Sequence, residues 1–411
     1  MTVLEAFEKA LREGQEEKVQ EIYEQVLAGG DAESQLDLAE YLEGIGYFDL
    51  AKPLYLLLAA CYPAAYISLA SIAAEDGQLE EAFAYLEEIK PESDLYVAAL
   101  MGKAELYQLE GLPDVAREKL AQALQWSDDP LLVFGLAELD MELGDFTQAI
   151  QEYASLDNRV IYQLTGVSTY QRIGLCYASL GRFEAAVEFL EKALEIDYDD
   201  VTLFELASIL YEQEEYQKAV LYFKQLDAMS PDFEGYEYAY ARALEGEHRL
   251  EEALKIAQQG LAKNPFETRL QLLASQLSYE LHDVQAAEDY LLAAQEDAED
   301  LEEISLRLTN LYLEQERYEE VLAFENQDLD NVLTRWNLAR AYQALERSEK
   351  ALTAYESLAP DLKNNPEFLE EYAYLLREMG LFRQAQAMAE SYLSLVPDDL
   401  AMQDFLESLR D

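Results

Sequence analysis

Only two histidines occur in 411 residues, His248 and His282, and they are the first place to look for chemistry. They occupy the same turn position in adjacent units of similar sequence, with Asp283 beside the second. Two imidazoles completed by carboxylates could hold a transition metal. A separation of one stacked helical unit, roughly 10 Å, is too long for shared ligation, so both read as polar turn residues. Gly44 and Gly46 lie in a Leu-Glu-Gly-Ile-Gly-Tyr stretch at 42–47, but no third glycine follows and no strand precedes, which excludes a phosphate loop. The acids of residues 296–303 lack the glycine and alternating oxygen donors of a calcium loop and read as a solvated junction. No nucleophile stands with a base in a recognisable arrangement, and two histidines leave little for proton transfer near neutral pH. The expectation is a protein that is not an enzyme, with no catalytic residue, cofactor or metal.

Composition speaks instead about partners. The chain has 84 acidic and 29 basic residues, a formal charge of -55. A field of that sign repels phosphate backbones and anionic lipids, both of which need clustered Lys or Arg, so no nucleic acid is expected. Residues 19–89 carry 14 acids and one base, Lys52, which favours a basic or neutral partner there. Such acids also keep a long chain soluble. Residues 53–74 run without a charge and are long enough to cross a bilayer, but Pro63 falls at a helix junction inside the run and breaks it, so direct membrane insertion is not expected. Residues 1–17 are charged and amphipathic with no apolar signal region. Cys61 and Cys176 stand several units apart, beyond disulfide reach. Two free thiols in a cytoplasmic protein is the simplest account.

A repeat positions all of these residues. Ala51, Ala82, Ala116, Ala149, Ala186, Ala219, Ala253, Ala287, Ala351 and Ala385, with Val19 and Val321, recur at about 34 residues. Residues 167–200 form the cleanest unit. Tyr170, Ile173, Gly174 and Tyr177 share one helix face, Gly181 ends that helix, and Phe183, Ala186, Leu190 and Ala193 share the face of the next. Gly174 and Ala186 are small, which lets the two helices approach. Pro63, Pro231, Pro265 and Pro397 mark junctions between units, and Asp199 and Asp200, Asp398 and Asp399, and Ser127 with Asp128 read as helix N-caps. Extra residues between Ala149 and Ala186 and missing ones between Val321 and Ala351 place bends near 157–166 and 325–333. The turn between paired helices holds Gly14, Gly46, Gly77, Gly111, Gly144 and Gly181, then Glu214, His248, His282, Glu316 and Glu346 before Gly380.

This pattern resembles the tetratricopeptide repeat (TPR) at nearly every position, departing mainly at Tyr198, where that family prefers proline. The resemblance covers twelve units from about residue 2 to 397 and is similar to the all-repeat cytosolic bacterial type, including the YpiA-like group. It implies an all-α, right-handed superhelical solenoid of about twelve helix-turn-helix units closed by a C-terminal capping helix carrying Leu400, Phe405, Leu406 and Leu409. The expected organisation is a strongly acidic N-terminal array over 1–160 with about five repeats, a second of about seven over 161–397, and the cap over 398–411.

In that family the first helix of each repeat lines a concave groove, and the residue after the small position faces it. The resemblance therefore implies a partner-binding groove with Arg242, Gln276, Asn310 and Arg340 in successive repeats, joined by Arg269, Arg307 and Asn337, with Tyr238 and Trp336 beside them. Such donors hold peptide carbonyls and acidic side chains, or they pair with local acids such as Glu245, Glu280 and Glu314. A second, acidic groove combines Leu36, Ile67, Met101 and Phe134 with Glu40, Glu105 and Glu138, and suits a basic amphipathic segment. The implied function is a non-enzymatic protein-protein interaction scaffold or adaptor. It would take a basic or amphipathic segment in the N-terminal half and an acidic or extended peptide in the C-terminal half. The alternatives are a peptide-responsive regulator and a chaperone for secreted or assembling subunits. Exposed tyrosines leave room for a homodimer.

Overall fold

The computed structural model describes residues 2–298, 300–327 and 330–409, which form 26 α-helices and no strand. Twelve helix pairs follow one another along the chain. Repeats 1 to 6 are Val3–Arg12 with Glu16–Gly29, Ala32–Gly44 with Phe48–Leu58, Ala65–Glu75 with Leu79–Glu87, Tyr96–Leu109 with Pro113–Ala123, Pro130–Glu142 with Phe146–Ser155, and Thr169–Ser179 with Phe183–Ile196. Repeats 7 to 12 are Asp200–Glu212 with Tyr216–Met229, Glu237–Gly246 with Leu250–Lys263, Thr268–Glu280 with Val284–Asp297, Glu302–Glu314 with Tyr318–Leu322, Val332–Ala344 with Ser348–Leu362, and Pro366–Glu378 with Phe382–Leu395. The chain divides into two compact units, Met1–Ile209 and Leu210–Asp411. Residue 160, where the sequence suggests a division, lies within the first unit.

The recurring alanine is the point of closest helix approach. All ten alanines and Val321 are buried. Larger residues close around them: Tyr55, Tyr153, Phe223 and Tyr355 are fully buried on second helices. Within each unit second helices pack on the first helix of the following repeat, as Pro113–Ala123 does on Pro130–Glu142 and Leu250–Lys263 on Thr268–Glu280.

Each pair turns on one left-handed residue. The amide after it reaches back five residues, as from Tyr47 to the Leu42 carbonyl (2.8 Å) and from Arg249 to Leu244 (2.9 Å), which closes the helix end. Glycine takes this conformation without strain at Gly46 (φ 79°) and Gly144 (φ 78°). Five consecutive turns use other residues: Glu214, His248, His282, Glu316 and Glu346, with φ between 55° and 65°.

The two irregular spacings have different outcomes. The extra residues after Ala149 fold into a helix of their own, Asn158–Thr165, capped by Asp157 and ended by Gly166 at φ 74°. It rests on Pro130–Glu142 and Thr169–Ser179, while Phe146–Ser155 still packs directly on Thr169–Ser179. The insertion is therefore carried beside the stack. The missing residues after Val321 reduce the second helix of repeat 10 to Tyr318–Leu322, and Glu302–Glu314 packs directly on Val332–Ala344 as well. Residues 328 and 329 of the second expected bend lie outside the described residues.

The last helix, Leu400–Ser408, buries Met402, Phe405 and Leu406 against Phe382–Leu395. Leu400, expected on that face, is instead 72% exposed, because it is the first helical residue and precedes the turn that meets the core. The uncharged run at 53–74 is split between Phe48–Leu58 and Ala65–Glu75. Among the described residues no helix is long and apolar enough to cross a membrane. Asp199 and Asp399 cap their helices, accepting from Thr202 N (2.7 Å) and Met402 N (3.0 Å). Asp129, rather than Asp128, caps Pro130–Glu142.

Candidate peptide-binding surface

In the second unit the first helices of repeats 8 to 11 carry the residues implied by the repeat register. Arg269 stacks its guanidinium 4.1 Å from the centre of the Tyr238 ring. Gln276 donates to Glu245 (2.8 Å) and Glu280 (3.1 Å), and Glu245 also takes an ion pair from Arg242. Arg307 donates to the Leu272 carbonyl (3.2 Å) and to Glu303 (2.6 Å). Asn337 is buried and donates to Asn310 (2.6 Å) and Thr309 (3.0 Å). Arg340 lies 3.9 Å over the Trp336 ring and donates to both oxygens of Glu371, each 3.0 Å away.

Neighbouring first helices are thus tied by donor-acceptor links one repeat long. Burial opposes the Arg340 charge, but the Glu371 and Glu367 carboxylates more than offset it and raise its pKa. Burial raises the Glu245 carboxyl despite Arg242 beside it. Glu245 and Glu280 are the local acids expected from the sequence. Glu314 instead accepts from the Tyr279 hydroxyl (2.6 Å). Trp336 and Asn337 are buried, so they hold the surface in place. Arg269 differs from the other cations of this surface: it has no carboxylate partner among the described residues.

Sequence reasoning missed Glu303, Glu367, Glu371 and Tyr279. Glu303 was findable, standing one helical turn before Arg307. Glu371 gives a weaker signal, since it lies one repeat after Arg340 and a turn before Tyr374 in a chain crowded with acids.

Three clefts open along these helices. Tyr238, Lys263 and Arg269 line one of about 540 Å³ together with Glu234, Glu237 and Glu267. Gln276, Tyr279, Arg307, Asn310 and Glu314 rim a second of about 370 Å³ with Ala287, Leu291 and Leu311 as its apolar floor. Arg340, Gln343 and Glu371 border a third of about 520 Å³.

In the first unit, Leu36, Ile67, Met101 and Phe134 are half-buried on four successive first helices. Glu40 and Glu105 are exposed and have no ion-pair partner among the described residues. Glu138 is engaged: it accepts from the Tyr153 hydroxyl (2.5 Å) and from Arg172 (2.8 Å). Phe134 meets Tyr153 edge-on at 6.0 Å. Further along, burial pushes Glu205 up to about 6.

Among the described residues no group of three or more His, Cys, Asp or Glu side chains is placed to hold a metal ion. Cys61 and Cys176 are free thiols, the first exposed and the second buried.

Four family models match. Residues 333–399 match YpiA-like C-terminal tetratricopeptide repeats, residues 108–160 match YpiA-like tetratricopeptide repeats, and residues 167–200 and 210–277 match two general tetratricopeptide-repeat models. The TPR repeat-containing protein YpiA of Bacillus subtilis (strain 168) is 26% identical over 321 residues, 77% of this chain and 76% of that protein. Among solved structures, a tetratricopeptide repeat protein from Parabacteroides merdae aligns at a TM-score of 0.41 and 14% identity, over 60% of this chain and 98% of its own. YrrB, described as a TPR protein with an unusual peptide-binding site, aligns at 0.39 and 17%, over 49% and 99%.

Proposed function

Because the chain is a tetratricopeptide-repeat protein, we propose that it is a non-enzymatic scaffold that holds protein segments against the first helices of its repeats. The second unit takes an extended, acidic peptide. The observation that carries this reading is the cleft of about 370 Å³ in which Gln276, Arg307 and Asn310 surround the apolar floor of Ala287, Leu291 and Leu311. A floor of that size accepts one apolar side chain, while the rim donors meet carbonyls or carboxylates on either side.

Arg269 strengthens the reading. A guanidinium stacked on Tyr238 and without a carboxylate partner offers its donors at no cost to an existing pair. The other donors exchange a local acid for a ligand acid. Exchanging one acid for another adds little net affinity and mainly selects the ligand, while the rigid placement of these donors lowers the ordering cost of binding.

In the first unit, exposed Glu40 and Glu105 beside half-buried Leu36, Ile67, Met101 and Phe134 favour a basic amphipathic segment.

An array of immobilised 15-residue peptides, probed with the purified chain, tests the proposal. Acidic peptides bearing one large apolar residue should retain the wild type and lose the Arg269→Ala, Arg307→Ala double variant. Equal retention of both proteins on every peptide would sink it.

A further inference from the structure

We propose that the turn edge of repeats 4 and 5 is a second docking surface, distinct from the groove, for a lysine- or arginine-rich amphipathic protein segment. Three leucines stand out from this edge: Leu109 is 66% exposed, Leu112 41% and Leu143 42%. Leu109 ends the first helix of repeat 4, Leu112 precedes its second helix, and Leu143 ends the first helix of repeat 5. The two turns are neighbours in space, because Gln108 donates to Glu142 across them at 3.3 Å. Leucines left this exposed on two adjacent turns offer apolar surface that a partner can cover.

Charge commits the occupant. Glu110, Glu142 and Asp145 are exposed between and beside the leucines. The bases of repeats 4 and 5 are Lys103, Arg117 and Lys119; Arg117 is held by buried Asp140, Lys119 lies 3.7 Å from Glu118, and Lys103 stands well inside its helix near Lys119 and Lys90 rather than at the turn. The edge is therefore apolar and acidic with no base in either turn, which opposes a second copy of this acidic chain and favours a basic amphipathic partner.

The second unit is the contrast. There the residue after the left-handed turn is Arg249, Arg317 or Arg347 in three repeats, and each is paired with glutamates: Arg249 with Glu252, Arg317 with Glu288, and Arg347 with Glu319. Those turns neutralise themselves. In repeats 4 and 5 the same position is Leu112 and Asp145, leaving both apolar surface and negative charge to be met from outside.

The test uses an 18-residue lysine/leucine amphipathic peptide, a lysine/serine control of equal charge, and the full chain. By fluorescence anisotropy the lysine/leucine peptide should bind roughly tenfold tighter than the control. Leu109→Ser with Leu143→Ser should weaken binding at this edge by roughly tenfold, whereas Glu40→Gln with Glu105→Gln, which removes the groove acids proposed for the same class of segment, should leave crosslinking to the edge unchanged. All four positions are exposed, so folding is retained; Leu109→Ser alone is the fallback and should weaken binding by roughly threefold. A photo-crosslinker in the peptide should label residues 108–114 or 142–145. Equal affinity of the two peptides, indifference to the leucine substitutions, or no labelling at 108–114 and 142–145 would each overturn the proposal. Loss of binding in the groove variant alone would place the peptide in the groove.

Discussion

Arg340 and Glu371 face each other from adjacent repeats, with the guanidinium Nε 3.0 Å from both carboxylate oxygens. The same carboxylate accepts from Trp336 Nε1 and from the Tyr355 hydroxyl, each at 2.9 Å. One acid thus fixes a surface arginine, a buried indole and a buried phenol. Glu371→Gln keeps the shape but exchanges two acceptor oxygens for one and removes the charge. It should destabilise the chain by about 2 kcal/mol, read as a lower midpoint in urea unfolding followed by tryptophan fluorescence.

Five turns of the second unit pay a conformational penalty that glycine avoids. Replacing Glu214, His248, His282, Glu316 or Glu346 by glycine should stabilise by up to about 1 kcal/mol each, since an L side chain in the left-handed region is strained. Gly144→Ala, at φ 78°, should destabilise by a similar amount of about 1 kcal/mol. Thermal melts of the single variants check both signs.

Gly174 marks how tightly a repeat is packed. A Cβ there would stand 2.7 Å from Leu190 Cγ and 3.2 Å from the Ala186 carbonyl oxygen. Gly174→Ala should therefore cost about 1–3 kcal/mol through forced separation of the two helices, despite alanine's better helix propensity. A stabilised variant in chemical denaturation would contradict this packing.

Glu205 supplies a pH dependence. Burial raises its carboxyl from 4.5 to about 6 in the folded chain, so the folded state holds its proton more tightly than the unfolded one. The stabilisation is full below about pH 4.5 and is lost as pH rises through about 6, a change of about 1–2 kcal/mol. Glu205→Gln should remove that slope, and unfolding free energies measured at pH 4.5 and 7 should then differ by correspondingly less.

Much of the fold was legible because close helix approach admits only small side chains, and that requirement repeats. Ala186 and Ala253 could be placed from spacing alone, and both are buried. The turn position was equally plain, but His248 and His282 did not announce a left-handed backbone, since nothing in a histidine demands one. The insertion after Ala149 was visible as surplus length, whereas its helical form depended on the Asp157 cap and the Gly166 stop. The candidate surface was harder to read. Repeat register put Arg307 and Arg340 on their helices, but 84 acids made every carboxylate an equally plausible partner. Only geometry distinguishes Glu371, with its Trp336 and Tyr355 bonds, from an acid that merely solvates its helix.

The central claim, that the second unit's first helices hold an acidic extended peptide, is tested most directly by titrating a fluorescent Asp/Glu-rich peptide carrying one leucine. Wild type and an Arg269→Ala, Gln276→Ala, Asn310→Ala variant are compared at two salt concentrations. Binding should be saturable, should weaken by at least roughly tenfold in the variant and should fall with salt in the wild type. Unchanged affinity in a variant that melts like wild type would contradict it.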